Sequence, residues 1–262
     1  MPSYEYVLTE FKEQVMDIQL NRPERLNAFN DAMLEELANA LDDAHQNEAV
    51  RVITVSGSGR AFCAGQDLKD VWARGRDVNI GEHLSHYYHP VILALQAIPK
   101  PTIAKIQGVA AGAGMSLALA CDMRIGSENA RFSQAFVKIG LVPDSGSTYW
   151  LPRLVGRAKA MEMALLGDMI SAEEAYRLGL LNHVVAADAL EQFTRTLTHR
   201  LAQMPPLALG MIKQALHASE HHTLSEQLDL EQQLQHAAAA TEDHHVGVQA
   251  FLQKTTPEFK GR

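Results

Sequence analysis

The chain reads as an α/β fold in which strands alternate with helices around one wound core. Three observations predict it. The 262 residues are 47% apolar and 21% charged, enough to build a sizeable core without disulfide or metal staples. Short runs such as Val52-Ile53-Thr54-Val55-Ser56 and Thr102–Gln107 have the length and β-branching of strands, and helical patterns stand between them. From Arg157 onward the pattern is helical, and a boundary falls near residue 200. A core over 1–200 and a C-terminal helical subdomain over 201–262 are therefore expected.

Element by element, Tyr4–Thr9 and Val15–Leu20 read as the first strands, and Asn21–Arg25 as a turn. Asn30 can cap a helix from Asp31 whose apolar face is Met33, Leu34, Leu37 and Leu41. Val52–Ser56 is a buried strand ended by Gly57-Ser58-Gly59. Residues 69–90 mix charges with Gly75, Gly81 and three histidines, which predicts a mobile, partly helical segment near the site entrance. Helix Val91–Ala97 stops at Pro99-Lys100-Pro101. Strand Thr102–Gln107 enters a Gly-rich turn over 108–114; Ser116 then opens a short helix, and Met123-Arg124-Ile125 returns as strand. Ser171-Ala172-Glu173-Glu174 spells a capping box, and Gly179 a C-cap. Pro205-Pro206 breaks the pattern before a helix over Ala208–Ser219, and amphipathic helices over 223–240 and 243–253 follow.

The formal charge of −8 argues against a nucleic-acid partner. Cys63 and Cys121 are two scattered thiols in apolar surroundings, which fits a reduced, cytoplasmic protein. The N-terminus has no basic and apolar leader pattern, and the longest apolar stretch, Val109–Cys121, is too short and too Gly-broken to span a membrane.

Chemistry concentrates in three places. Phe62-Cys63-Ala64-Gly65-Gln66-Asp67-Leu68 and Gly108–Gly114 both look built to present bare backbone N–H groups. Asp144 is the only carboxylate between Phe132 and Thr148. Two such turns and one acid suggest a site that holds an enolate and moves a proton. Plainer readings stand beside this one. Pro143-Asp144-Ser145-Gly146 is ordinary turn chemistry, and Asp144 can simply cap the turn before Thr148. Gly112-Ala113-Gly114-Met115-Ser116-Leu117 lacks the third glycine of a dinucleotide loop, and no P-loop is present. His83, His86 and His89 share a helical spacing but lack companions for a metal, so solvated or entrance-lining roles are preferred and no metal is expected. Cys63 has no adjacent histidine to activate it, and Asp67 reads as a shaper of its turn.

The stretches Asn21–Ala28, Phe62–Leu68, Gly108–Gly114 and Leu141–Thr148, in this order and spacing, closely resemble the crotonase (enoyl-CoA hydratase/isomerase) superfamily. The resemblance covers essentially the whole chain. Within it, Ala64-Gly65-Gln66-Asp67, Gly112-Ala113-Gly114, Gly140-Leu141-Val142-Pro143-Asp144 and Ala250-Phe251-Leu252-Gln253-Lys254 look most like the branch of bacterial ring-1,2-epoxyphenylacetyl-CoA isomerases of phenylacetate degradation.

The resemblance implies a β-β-α spiral core, C-terminal helices that assemble a homotrimer or a hexamer, and an acyl-CoA substrate. No cofactor is implied beyond the coenzyme A of that substrate, and no membrane partner. The backbone N–H groups of Gln66 and Ala113 would hold the thioester oxygen. Coenzyme A would run past Arg25, Leu26, Ala64, Asp67 and Leu68, with Phe251 and Lys254 reaching its phosphates. The hydratases of the family carry two catalytic glutamates; the matching positions here are Ser116 and Phe136, which would line the acyl pocket instead. Asp144, the remaining acid, matches the aspartate of the isomerase and dehalogenase branches. An isomerase is thus implied, with a hydratase, a dehalogenase or a non-catalytic acyl-CoA-binding scaffold as alternatives.

Overall fold

The chain winds three times through one unit: a long strand, a short strand position and a helix. The computed structural model describes residues 4–73, 75 and 79–262. A hairpin of β1 (Val7–Lys12) and β2 (Val15–Leu20) leads through α1 (Asp31–Gln46) to β3 (Val52–Gly57). Then come α2 (Leu68–Ala73), α3 (Ile80–His83) and α4 (His89–Ala97). The second turn is β4 (Thr102–Ile106), β5 (Val109–Ala111) and α5 (Ala113–Ala120); the third is β6 (Met123–Ser127), β7 (Arg131–Ser133), α6 (Ser147–Val155) and α7 (Arg157–Leu166). The chain continues through β8 (Ile170–Ser171), α8 (Ala172–Arg177), β9 (His183–Val185), α9 (Leu190–Ala202), α10 (Pro206–Ala218), α11 (Leu224–Ala239) and α12 (Glu242–Gln253).

Among the described residues the larger sheet runs β1-β2-β3-β4-β6-β9 and the smaller β5-β7-β8. The pairs from β2 to β9 are parallel, and β3 is buried along its whole length, its polar Thr54 and Ser56 included. A parallel bridge between Cys63 and Ala110 extends the smaller sheet by one position. That bridge draws the two Gly-containing turns together.

Several elements differ from the reading of the sequence. The first strand lies three residues further on, because Glu13 and Gln14 both adopt positive φ and make a two-residue turn without glycine. Asn30 does cap α1, accepting from the Met33 N–H at 2.9 Å, and Met33, Leu34, Leu37 and Leu41 are buried. Helix α5 begins at Ala113, not Ser116, because Gly112 at φ 51° and ψ −129° is its N-cap. Helical structure resumes at Ser147, before Arg157, and β8 and β9 interrupt it. Half of the Ser171 capping box forms; the Glu174 carboxylate instead pairs with Lys159 at 2.9 Å. Pro206 opens α10 at its first position, where its missing N–H costs nothing. The segment expected to be mobile over 69–90 is helical over Leu68–Ala73 and 80–90, while Arg74 and residues 76–78 lie outside the described residues. Among the described residues no helix is long and apolar enough to cross a membrane.

Candidate active site

The first wall of the site is the turn after β3. The Phe62 and Cys63 amides both donate to the Val109 carbonyl at 3.0 Å, and the Ala111 amide donates back to Cys63 at 2.9 Å. The Phe29 amide donates to the Gly65 carbonyl at 2.7 Å, and the Asp67 amide to the Phe29 carbonyl at 2.9 Å. Gly65 carbonyl and Gln66 N–H belong to one peptide plane, so fixing the carbonyl on Phe29 turns the N–H the other way. Gly65 takes φ 93°, and a Cβ there would lie 2.9 Å from the Ala111 carbonyl oxygen and 3.5 Å from the Ala113 nitrogen. Only glycine permits that approach.

The second wall is the start of α5. Ala113 is its first residue, so its N–H has no partner within the helix. The helix dipole adds positive potential at the same end. Among the described residues neither the Gln66 nor the Ala113 amide donates to a protein acceptor. Two adjacent, pre-aimed N–H groups can receive an oxygen on which charge develops.

Asp144 faces this pair from the loop before α6. Its side chain does not cap that helix: Gly146 is the N-cap and no side-chain cap bond forms. The carboxylate accepts instead from the Ser145 hydroxyl at 2.9 Å. Burial raises its pKa above the ordinary carboxylate value, and the Ser145 hydrogen bond and the His89 charge pull only part of the way back. A raised pKa makes the carboxylate a stronger base once ionised. Together these groups line a cavity of about 230 Å³ with Leu84, Tyr88, Phe136 and Leu141. Asp144 is the single carboxylate among its described lining residues. Such a cavity can take an apolar acyl group, hold its carbonyl oxygen and move one proton.

A family model described as enoyl-CoA hydratase/isomerase matches residues 10–262. A 1,2-epoxyphenylacetyl-CoA isomerase from Escherichia coli is 44% identical over 260 residues, covering 98% of this chain and 99% of its own. A protein from Rhodobacter capsulatus named probable enoyl-CoA hydratase is 46% identical over 260 residues, covering 99% and 100%. The solved enoyl-CoA hydratase of Bacillus anthracis superposes with a TM-score of 0.94 at 33% identity, covering 98% of this chain and 100% of its own. The chain belongs to the enoyl-CoA hydratase/isomerase family. Its fold is the crotonase spiral expected from the sequence, and it is an enzyme of that family.

For a member of this family, the placement of the remaining expected residues is uneven. Ala64, Gln66, Leu68, Ala113, Phe136 and Asp144 meet at the cavity. Ser116 does not line it, contrary to expectation: it is 0% exposed at the end of the first turn of α5. Its hydroxyl lies 3.2 Å from the Gly112 carbonyl and 3.1 Å from that of Asp144, so it ties the Asp144 loop to the helix. Arg25 is exposed and Leu26 half-buried beside the first wall, where the Leu26 carbonyl accepts from the Ala64 amide at 3.0 Å. Asp67 points away from the cavity lining and pairs with Arg22 at 3.0 Å. Burial pushes the Asp67 carboxyl up, but the Arg22 hydrogen bond and charge and the amides of Asp70 and Lys69 outweigh it and hold the pKa below the ordinary value. Phe251 and Lys254 sit at the end of α12 and are not among the residues lining the cavity of a single chain.

Among the histidines, His83 lines the cavity and pairs with Asp31 at 2.8 Å. Among the described residues no three His, Cys, Asp or Glu side chains gather as a metal site. Sequence reasoning missed Asn27, Arg22 and Tyr88. Buried Asn27 donates to the Ala61 carbonyl at 2.8 Å and to the Ser58 carbonyl at 2.9 Å, closing the loop over the first wall. Its neighbours in Asn21–Ala28 marked the loop, but nothing local announced which side chain turned inward.

Proposed function

We propose that this enzyme is an acyl-CoA isomerase with Asp144 as its base and the Gln66 and Ala113 amides as holders of the thioester oxygen. The reading rests on one observation: Asp144 is the single carboxylate among the described residues of the cavity. An isomerisation needs one group that removes a proton and returns it. With a 3-enoyl-CoA, Asp144 takes the C2 proton, the electron pair moves toward the thioester oxygen, and the proton returns at C4. Mass is unchanged and the double bond has moved. The 44% identical relative, a 1,2-epoxyphenylacetyl-CoA isomerase, favours that epoxide as the substrate, and the resemblance read in the sequence adds an oxepin-CoA product in phenylacetate degradation. There the same amides would polarise the thioester while Asp144 handles the C2 proton.

The relative named as a hydratase, 46% identical, supports a second reading in which water adds to a 2-enoyl-CoA. Buried Ser116 and apolar Phe136 weigh against it, because water activation ordinarily takes more than one polar group. Purified enzyme and Asp144→Asn are each given 3-enoyl-CoA, 2-enoyl-CoA and the ring epoxide, with products weighed by mass spectrometry. An isomer of unchanged mass, lost in the variant, is the expected result. A product one water heavier establishes the hydratase.

The enzyme acts in this reading as a cytoplasmic homotrimer or hexamer, with coenzyme A supplied only as part of the substrate. The helices over 201–262 make its assembly subdomain. Phe251 at 83% exposure is an apolar side chain left for a neighbouring subunit to cover, and Lys254 beside it would reach coenzyme A phosphates from there. A monomer by light scattering would contradict this.

A further inference from the structure

The Gln66 side chain has no chemical role in that reading, yet both ends of its carboxamide are held. Its Nε2 donates to the Phe29 carbonyl at 3.2 Å, and its Oε1 accepts from the Tyr88 hydroxyl. The Phe29 carbonyl is the same oxygen that receives the Asp67 amide, and the Phe29 amide holds the Gly65 carbonyl. The Tyr88 ring meets the Phe29 ring edge-on at 5.9 Å and is 4% exposed. Tyr88 thus closes a ring of contacts around the peptide plane that carries the Gln66 N–H.

A local irregularity brings Tyr88 there. Between α3 and α4 the helix opens into a π turn over Leu84–Tyr88, where the His89 amide donates to the Leu84 carbonyl. The wider turn carries both Leu84 and Tyr88 to the cavity lining. Helices seldom adopt this form without a local gain, and the Gln66 contact is a gain of that kind.

We propose that Tyr88 is a positioning residue: by holding the Gln66 carboxamide it aims the Gln66 N–H at the thioester oxygen. The proposal rests on the reading of the Gln66 and Ala113 amides as that oxygen's holders. The two donors differ in their need for it. The Ala113 N–H is fixed by its buried helix. The Gln66 N–H follows Gly65, a residue of freely turning backbone whose carbonyl is held by the Phe29 amide alone, so the carboxamide clamp is the second hold on that peptide plane.

The test uses Tyr88→Phe, which keeps the ring packed on Phe29 and removes the hydroxyl. The direct readout is the infrared carbonyl stretch of an isotope-labelled saturated acyl-CoA bound to the protein. That ester has no double bond to move, so its shift reports the amides and not the isomerisation. In the unmutated protein the stretch should fall on binding; in Tyr88→Phe the fall should shrink. For a substrate that turns over, kcat should drop about tenfold while KM stays within about twofold. Combining Tyr88→Phe with Gln66→Ala should lower kcat no further than Gln66→Ala alone, because both remove one clamp. A full carbonyl shift in Tyr88→Phe, an unchanged kcat, or additive losses in the double variant would overturn the proposal. Absence of any shift in the unmutated protein would overturn the amide-pair reading and this proposal together, whichever reaction the enzyme performs.

Discussion

The amide-bearing wall and the Asp144 loop face one another across the cavity and are built in opposite ways. The wall is core: Cys63, Ala110 and Met115 are 0% exposed, and the two turns exchange backbone hydrogen bonds. The loop is surface: Val142 is 78% exposed, Ser145 and Gly146 take positive φ, and Ser116 ties the Asp144 carbonyl from below. The contrast follows from what each must do. Donors that accept developing charge are effective only when they need no rearrangement at the moment of reaction. In the proposed isomerisation the base lifts a proton from one carbon and sets it on another, so it must reach both.

The largest expected effect comes from Asp144→Asn, which should lower kcat by about 10³-fold while acyl-CoA binding persists, since the wall is untouched. Comparable turnover in the variant would move the base elsewhere. The same substitution should raise the melting temperature at neutral pH. A carboxylate whose pKa is raised on folding contributes stability only below its unfolded value and loses it as pH rises through the folded value. Its ionised form is therefore a cost that asparagine removes.

Gly114→Ala probes the wall. The added methyl would sit 2.3 Å from the Cys63 carbonyl oxygen and 2.7 Å from its Cβ, forcing the turns apart. A loss of about 1–3 kcal/mol in denaturant unfolding, with a fall in kcat, is expected. Ser116→Ala probes the tether of the loop and should cost about 1 kcal/mol and a few-fold in kcat. If it matched Gly114→Ala in stability, the loop would be as rigid as the wall and the contrast would fail.

Two pH measurements sharpen the comparison further. The acid limb of kcat/KM should lie above the ordinary carboxylate range, following the raised Asp144 pKa, and a limb within that range would count against Asp144 as the base. The smallest effect is at Asp67, whose pKa is lowered on folding, so its contribution is present above the unfolded value and fades as pH falls through the folded one. Asp67→Asn should lose slightly in stability at neutral pH, and the gap should close on acidification.

The wall was legible in the sequence because close backbone approach demands glycine, and Gly65 and Gly114 stand where the turns touch. Helix α1 was legible through Asn30 and its apolar stripe. The start of α5 was misplaced because a hydroxyl residue, Ser116, resembles a cap, while the true cap is a glycine whose dihedrals leave no trace in composition. Tyr88 meets Gln66 22 positions away, and the Asn27 amide nitrogen reaches the Ser58 and Ala61 carbonyls 31 and 34 positions away; no local pattern encodes those partners. Phe251 and Lys254 were named through resemblance alone, and a single chain does not bring them to the cavity.

Cys63 lies inside the first wall, one residue from a cavity lined by Ala64 and Gly65. Its thiol donates to the Asn27 carbonyl at 3.0 Å, and burial pushes its pKa up to about 12. Cys121 is likewise buried and pushed up to about 12. Unsaturated thioesters and ring epoxides are electrophiles that alkylate thiolates. On the proposed reading these are the substrates, and an ionisable sulfur this near the cavity would be consumed by them. Kept neutral and enclosed, Cys63 gives the wall a soft, space-filling atom without offering a nucleophile.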